Sequence, residues 1–199
     1  MRKIFLAFFA YLASTSLMAE SKFQAGIGYS MFESTDSYSS GDYKDSIDAP
    51  LLAVRYAFSK RFAIEGEYRF SREDSCTKPD GSACNFGEQS IDVSGIDLNL
   101  LLGNHLTDED SIYFYSGVGY FFDRWSYSGN GIDDTISGLQ IPFGIGYNFK
   151  ELSIEGKYIY RPYSNYRDSS FDINLSTTDT YYGNDLFINM FSLKIMYAL

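Results

Sequence analysis

Beyond residue 19 the chain has no run of the roughly 20 consecutive apolar residues that a membrane-crossing helix requires. That excludes a helical membrane protein. It also has only two cysteines, one histidine and one tryptophan. One imidazole and two thiols make a poor metal-ligand set, and no Gly-rich phosphate loop or nucleophilic serine motif occurs. The sequence therefore assigns no catalytic residue, no metal ligand, no cofactor and no enzyme activity. Positive charge is short as well: 16 basic residues stand against 26 acidic ones, a net of −10. That balance repels a polyanion and excludes nucleic acid as a partner.

What is present begins with a targeting pattern. Arg2 and Lys3 precede the apolar run 4–12, followed by Ser14, Thr15, Ser16 and then Leu17, Met18 and Ala19. This predicts a secretory signal peptide over residues 1–19, cleaved after Ala19. One domain over 20–199 remains, with 14 basic and 26 acidic residues, a net of −12. In an exported chain, Cys76 and Cys84 within the polar segment 71–88 predict a disulfide. Closing that short loop stabilises the fold by ~2 kcal/mol through the unfolded state.

The chain is rich in aromatic residues, 18 Tyr and 17 Phe, yet its mean hydropathy is −0.20. Strands that are apolar on one face only account for both facts, and a period of two recurs along the chain. Phe23, Ala25, Ile27, Tyr29 and Met31 alternate with Gln24, Gly26, Gly28 and Ser30. A second strand presents Leu52, Val54, Tyr56 and Phe58, and after a tight turn at 59–61 a third presents Phe62, Ile64, Tyr68 and Phe70. The fourth shows Ile96, Leu98, Leu100 and Leu102, with Ile91 and Val93 in the opposite phase, which predicts a bulge at Gly95. The fifth shows Ile112, Phe114, Val118, Tyr120 and Phe122, and the sixth Leu139, Ile141, Phe143, Ile145, Tyr147 and Phe149. Pro142 in the sixth has no N–H, so a bulge or a lost ladder bond is expected there. Only Lys150 and Glu151 separate it from the seventh, with Leu152, Ile154, Tyr158 and Tyr160. The eighth ends the chain with Phe191, Leu193, Ile195, Tyr197 and Leu199 on one face.

The connections alternate. Long polar ones, 33–48, 71–88, 125–137 and 162–184, follow strands one, three, five and seven, and short ones follow strands two, four and six. This pattern predicts an all-β fold, an eight-stranded antiparallel up-and-down transmembrane β-barrel. A sandwich has no need of the alternation. A lipocalin-like barrel keeps its apolar face inside, whereas here the charges share the face opposite the large apolar residues. That inner face carries Lys22, Arg55, Arg69, Lys157, Arg161 and Lys194 with Glu65, Glu67, Asp97, Asp123 and Glu155. Eight staves leave an interior that side chains fill, so these charges predict a plugged lumen, with Arg55 opposite Glu65. Inward Gly26, Gly28, Gly117, Gly119, Gly144 and Gly146 leave room for water and keep a narrow ion path as the alternative.

Little in the sequence specifies a task. His105 lies in the connection between strands four and five and reads as a solvated turn residue, and Asp133–Asp134 reads as an acidic turn. Tyr38, Tyr43, Tyr163, Tyr166, Tyr181 and Tyr182 lie in the long connections, where they suit either an interfacial aromatic girdle or a recognition surface.

The signal peptide, the eight alternating segments and the ending 191–199 resemble small outer-membrane barrels of the outer membrane protein A and X type. The terminal strand resembles the segment such proteins present to their insertion machinery. It departs in ending on Leu199, where Phe is common, and no peptidoglycan-binding domain follows. The resemblance implies a monomer in a Gram-negative outer membrane, among lipopolysaccharide, with extracellular loops and both termini periplasmic. It further implies periplasmic chaperones and the barrel assembly machinery as partners during biogenesis. Its function is expected to be structural or surface-interacting, with a possible extracellular ligand at the loops. The alternative is a narrow porin-like channel for ions or small solutes.

Overall fold

The computed structural model describes residues 21–38, 41–73, 75–77, 80–82, 91–127, 133–162 and 187–199. The expected signal peptide, Cys84 and Tyr163, Tyr166, Tyr181 and Tyr182 lie outside them. Among the described residues nine strands form: β1 (Lys22–Tyr38), β2 (Gly41–Ala57), β3 (Phe62–Glu73), β4 (Ser75–Thr77), β5 (Ile91–Asn104), β6 (Ser111–Tyr127), β7 (Asp133–Phe149), β8 (Leu152–Tyr160) and β9 (Phe187–Ala198). The eight long ones close into an antiparallel barrel in chain order, sealed by β1 against β9. The short β4 continues the stave of β3 and pairs with β2 at 44–46.

Closure leaves no edge within the lipid, and alternation does the rest. Ile27 is 65 % exposed and Leu193 62 %, while Lys194 is fully buried. Outward apolar side chains suit hydrocarbon about 25 Å thick, so their exposure is the signature of a lipid face. Three tight connections shape one end. In the first, Ser59 Oγ accepts from the N–H groups of Arg61 and Phe62, both at 3.2 Å. In the second, between β5 and β6, His105 and Asp110 adopt left-handed φ of 52° and 48°. In the third, Lys150 takes φ of 53° so that Phe149 and Leu152 face each other across two residues.

The structure corrects three local expectations and narrows a fourth. Most of the stretch 33–48, expected as a loop, is the outer half of the β1–β2 hairpin, paired without a break from Met31–Asp48 to Tyr38–Gly41. Likewise β6 continues to Tyr127 and β7 starts at Asp133. Loss of apolar alternation marks where a strand leaves hydrocarbon, not where it leaves the sheet, because the backbone ladder persists in water.

There is no bulge at Gly95. The β5–β6 register is continuous from Ile91–Tyr127 to Asn104–Phe114, and the irregularity lies in β3 between Arg69 and Arg72. Val93 is apolar and out of phase because it faces inward, buried beside Phe121 and Trp125. At Pro142 the β6–β7 ladder lapses between Ser116–Phe143 and Gly119–Gln140 with the register unchanged. Bonds are lost there without a bulge, as the missing N–H requires.

The inward glycines, finally, do not hold open space. A Cβ at Gly28 would meet the Lys194 side chain, one at Gly144 the Tyr115 ring and one at Gly146 the Tyr113 ring.

Candidate functional site

The lumen is built around ten charged side chains that fall into two units. The first draws on four staves. Arg55 on β2 lies opposite Glu65 on β3 and donates Nε to its Oε2 at 3.0 Å, while its Nη2 reaches Glu155 Oε2 on β8 at 2.5 Å. Lys157 on β8 contacts Glu65 Oε1 at 3.1 Å and also pairs with Glu67. Lys194 on β9 contacts Glu65 at 2.8 Å, Glu67 at 2.6 Å and Glu155 at 2.7 Å. Three cations thus meet three carboxylates. Tyr113 and Tyr115 on β6 donate their hydroxyls to the two oxygens of Glu155, at 2.9 and 2.5 Å, and the Arg55 guanidinium stands 5.0 Å from the Tyr115 ring centre.

The second unit lies nearer the long connections. Arg69 on β3 pairs with Asp97 on β5 at 2.6 Å and with Asp123 on β6. Arg161, immediately after β8, bridges the same carboxylates, at 2.8 Å to Asp97 and 2.5 Å to Asp123. Its Nε donates to Gln140 Oε1 at 3.0 Å, Gln140 Nε2 donates to Asn99 Oδ1 at 2.8 Å, and its guanidinium stacks 3.9 Å over Phe121. Two cations meet two carboxylates. Each unit is neutral, and multiple charge-assisted bonds offset the large desolvation cost of burying it.

Apolar groups gather at both ends. Toward the long connections, Phe32, Ile47, Val93, Phe121, Trp125, Ile136, Ile159 and Met190 pack into one buried cluster. At the other end Leu106, in the β5–β6 turn, folds back onto Ala57, Ala63, Leu101, Tyr113 and Tyr115. Its N–H donates to Lys60 O at 3.0 Å. Asn148 Nδ2 braces that turn by donating to the carbonyls of Asp108, at 2.9 Å, and His105, at 3.2 Å.

His105 has a partner that the sequence reading did not assign. Its Nδ1 lies 2.7 Å from Asp108 Oδ2, and Lys60 Nζ lies 2.8 Å from Asp108 Oδ1. Bonds from Lys60 and His105 hold the Asp108 carboxyl below its ordinary range. Among the described residues no group of three or more His, Cys, Asp or Glu side chains is arranged to hold a metal ion.

Comparison with known proteins decides the family. The model of the outer membrane protein beta-barrel domain matches residues 4–185. The chain belongs to that family. Its solved relatives are similar in fold at low identity. The attachment invasion locus protein Ail of Yersinia pestis, in complex with the heparin analogue sucrose octasulfate, is 14 % identical at a TM-score of 0.56, over 90 % of this chain and 99 % of that one. Neisserial surface protein A is 15 % identical at a TM-score of 0.52, over 89 % and 97 %. OprG of Pseudomonas aeruginosa is 13 % identical at 0.52, over 90 % and 96 %. A comparison with curated proteins returns no match.

This outer-membrane barrel therefore turns one face to lipid and keeps the other inside. Phe191, Leu193, Ile195, Tyr197 and Leu199 of the terminal strand are exposed on the lipid side, while Arg55, Glu65, Glu67, Arg69, Asp97, Glu155, Lys157, Arg161 and Lys194 are buried in the lumen. Lys22 stands apart at the rim, donating to Lys150 O at 3.1 Å. Cys76 lies in β4. Sequence reasoning missed Tyr113 and Tyr115, which complete the first unit. A signal existed: they alternate with Ile112 and Phe114, and pairing sets them opposite Gly146 and Gly144, bulk against absence.

Proposed function

We propose that the protein is a closed-lumen envelope barrel that acts through its long connections, which face the exterior while both termini face the periplasm. One observation carries this: two neutral, fully bonded charge units fill the lumen between apolar ends, which leaves the end surface as the place for interaction. Charge supports the assignment. The long connections, 33–48, 71–88, 125–137 and 162–184, hold 14 acidic and 4 basic side chains, a net of −10, most of the net charge of the chain beyond residue 19. Such a face attracts a partner with a basic surface and repels polyanions. Ail was solved with a sulfated ligand, and by charge this chain suits ligands of the opposite sign.

Several finer assignments belong to the same reading. Residues 1–19 act as a signal peptide, β9 is the segment read by the assembly machinery, and Cys76 is bonded to Cys84. No catalytic role is assigned, since His105 is taken up with Asp108 in a turn at the periplasmic end. The test replaces all four long connections with short turns and compares binding to polylysine-coated and heparin-coated surfaces. Salt-sensitive polylysine binding that disappears with the long connections is expected. Binding unchanged by their replacement overturns the proposal.

A further inference from the structure

The seam between β1 and β9 has a register problem that neither lipid nor turns solve. A hairpin's register is set by its turn, but β9 follows β8 only after residues 161–186, and no chain joins it to β1. At the β1–β9 seam itself the outward faces carry little information either. Ile27 and Tyr29 on β1 meet Ile195 and Leu193 on β9, and a slide of two residues would again set apolar groups against apolar groups. The backbone ladder repeats every two residues as well, so a slide by two keeps every side chain on its own face.

The lumen is where the registers differ most, beside a single outer bond from the Tyr158 hydroxyl to Asn189 Oδ1 at 2.7 Å that also marks the place of β9. β9 brings one charged side chain, Lys194, which lies directly opposite Gly28 on β1 and Glu155 on β8. Without it the first charge unit has two cations and three carboxylates. With it the unit is neutral, and the three N–H donors of the ammonium meet Glu65, Glu67 and Glu155 at 2.6 to 2.8 Å. Gly28 permits the close approach of β9 at this point, because a Cβ there would run into the Leu193 carbonyl oxygen and stand 2.8 Å from Lys194 Cγ. Gly26 stands in the same relation to Met196. A slide by two residues moves the ammonium about 6.6 Å along the strand, beyond hydrogen-bond reach. Met196 or Ser192 then faces three carboxylates held by two cations.

We infer that Lys194 is the register key of barrel closure: the terminal strand docks where its one positive charge neutralises the carboxylates left by the other staves, over the gap provided at Gly28. Trapping the seam by oxidation tests this in the full chain, with Cys76 and Cys84 replaced by serine so that only introduced thiols report. Ile27→Cys with Ile195→Cys reads the native register. Ile27→Cys with Leu193→Cys, or with Tyr197→Cys, reads a slide by two in either direction. In the otherwise unchanged barrel only the native pair cross-links. The deciding variant is Glu67→Gln/Lys194→Met, which keeps the unit neutral and so retains a foldable lumen. It is expected to lose native cross-linking several-fold and to gain a shifted cross-link. Native cross-linking at the unchanged yield, with no shifted product, overturns the inference.

Discussion

The phenol ring of Tyr115 occupies the space that a side chain on Gly144 would fill, directly across the β6–β7 ladder. From there its hydroxyl donates to Glu155 Oε1 at 2.5 Å. The glycine is thus part of the charge unit, although it contributes no atom to it.

Gly144→Ala should displace the ring and weaken its bond to Glu155, at about 1–3 kcal/mol for overpacking. Gly156 faces outward with nothing within 4 Å of an added Cβ, so Gly156→Ala should stay within about 0.5 kcal/mol of the unmodified protein. Urea unfolding in lipid vesicles measures both.

Arg161→Met should be among the most damaging single changes, because it leaves Asp97 and Asp123 sharing Arg69 alone in a buried site. Breaking such a set costs about 3–5 kcal/mol. Adding Asp123→Asn removes the stranded charge, so the double variant should cost less than the sum, with a coupling of about 0.5–3 kcal/mol. The same unfolding titration reads the cycle.

The brace at the short-turn end gives a pH dependence. Lys60 and His105 lower the Asp108 carboxyl in the folded state. Its contribution is therefore complete above the unfolded value near ~3.9 and is lost as pH falls through the lowered folded value. Asp108→Asn should cost stability at about pH 7 and little once the pH is below the lowered folded value. Unfolding midpoints for both proteins across that range check it.

Cys76 lies in β4, against Asp45 on β2. If it is bonded to Cys84 as proposed, protein isolated without reductant should resist alkylation at both positions. Reduction should cost ~2 kcal/mol. Peptide mapping with and without reductant reports the bond directly.

The architecture was legible because a lipid face demands strict alternation, and each of the eight segments shows it; Leu139 to Phe149 needs no other argument. Strand ends were not legible. Glu33 to Asp48 looks like a loop because water accepts polar side chains on both faces, while the β1–β2 ladder runs on beneath them. The phase of Val93 was misread for a related reason. An apolar residue on the inner face looks like a slipped register until the inner face is known to turn apolar above the charges.

Alternation also assigns Arg69, Asp97 and Asp123 to the inner face, but not the pattern of partners, which depends on how strands far apart in the chain meet across the lumen. Arg161 illustrates this. It follows the last residue of β8, and only the closed barrel brings it to Asp97 on β5, 64 positions away in the chain.

In the proposed function, paired charges and apolar ends close the lumen. Conductance of the purified barrel in planar lipid bilayers tests it most directly. No sustained openings above the bare bilayer are expected. Stable, ohmic openings would contradict it and favour the narrow channel.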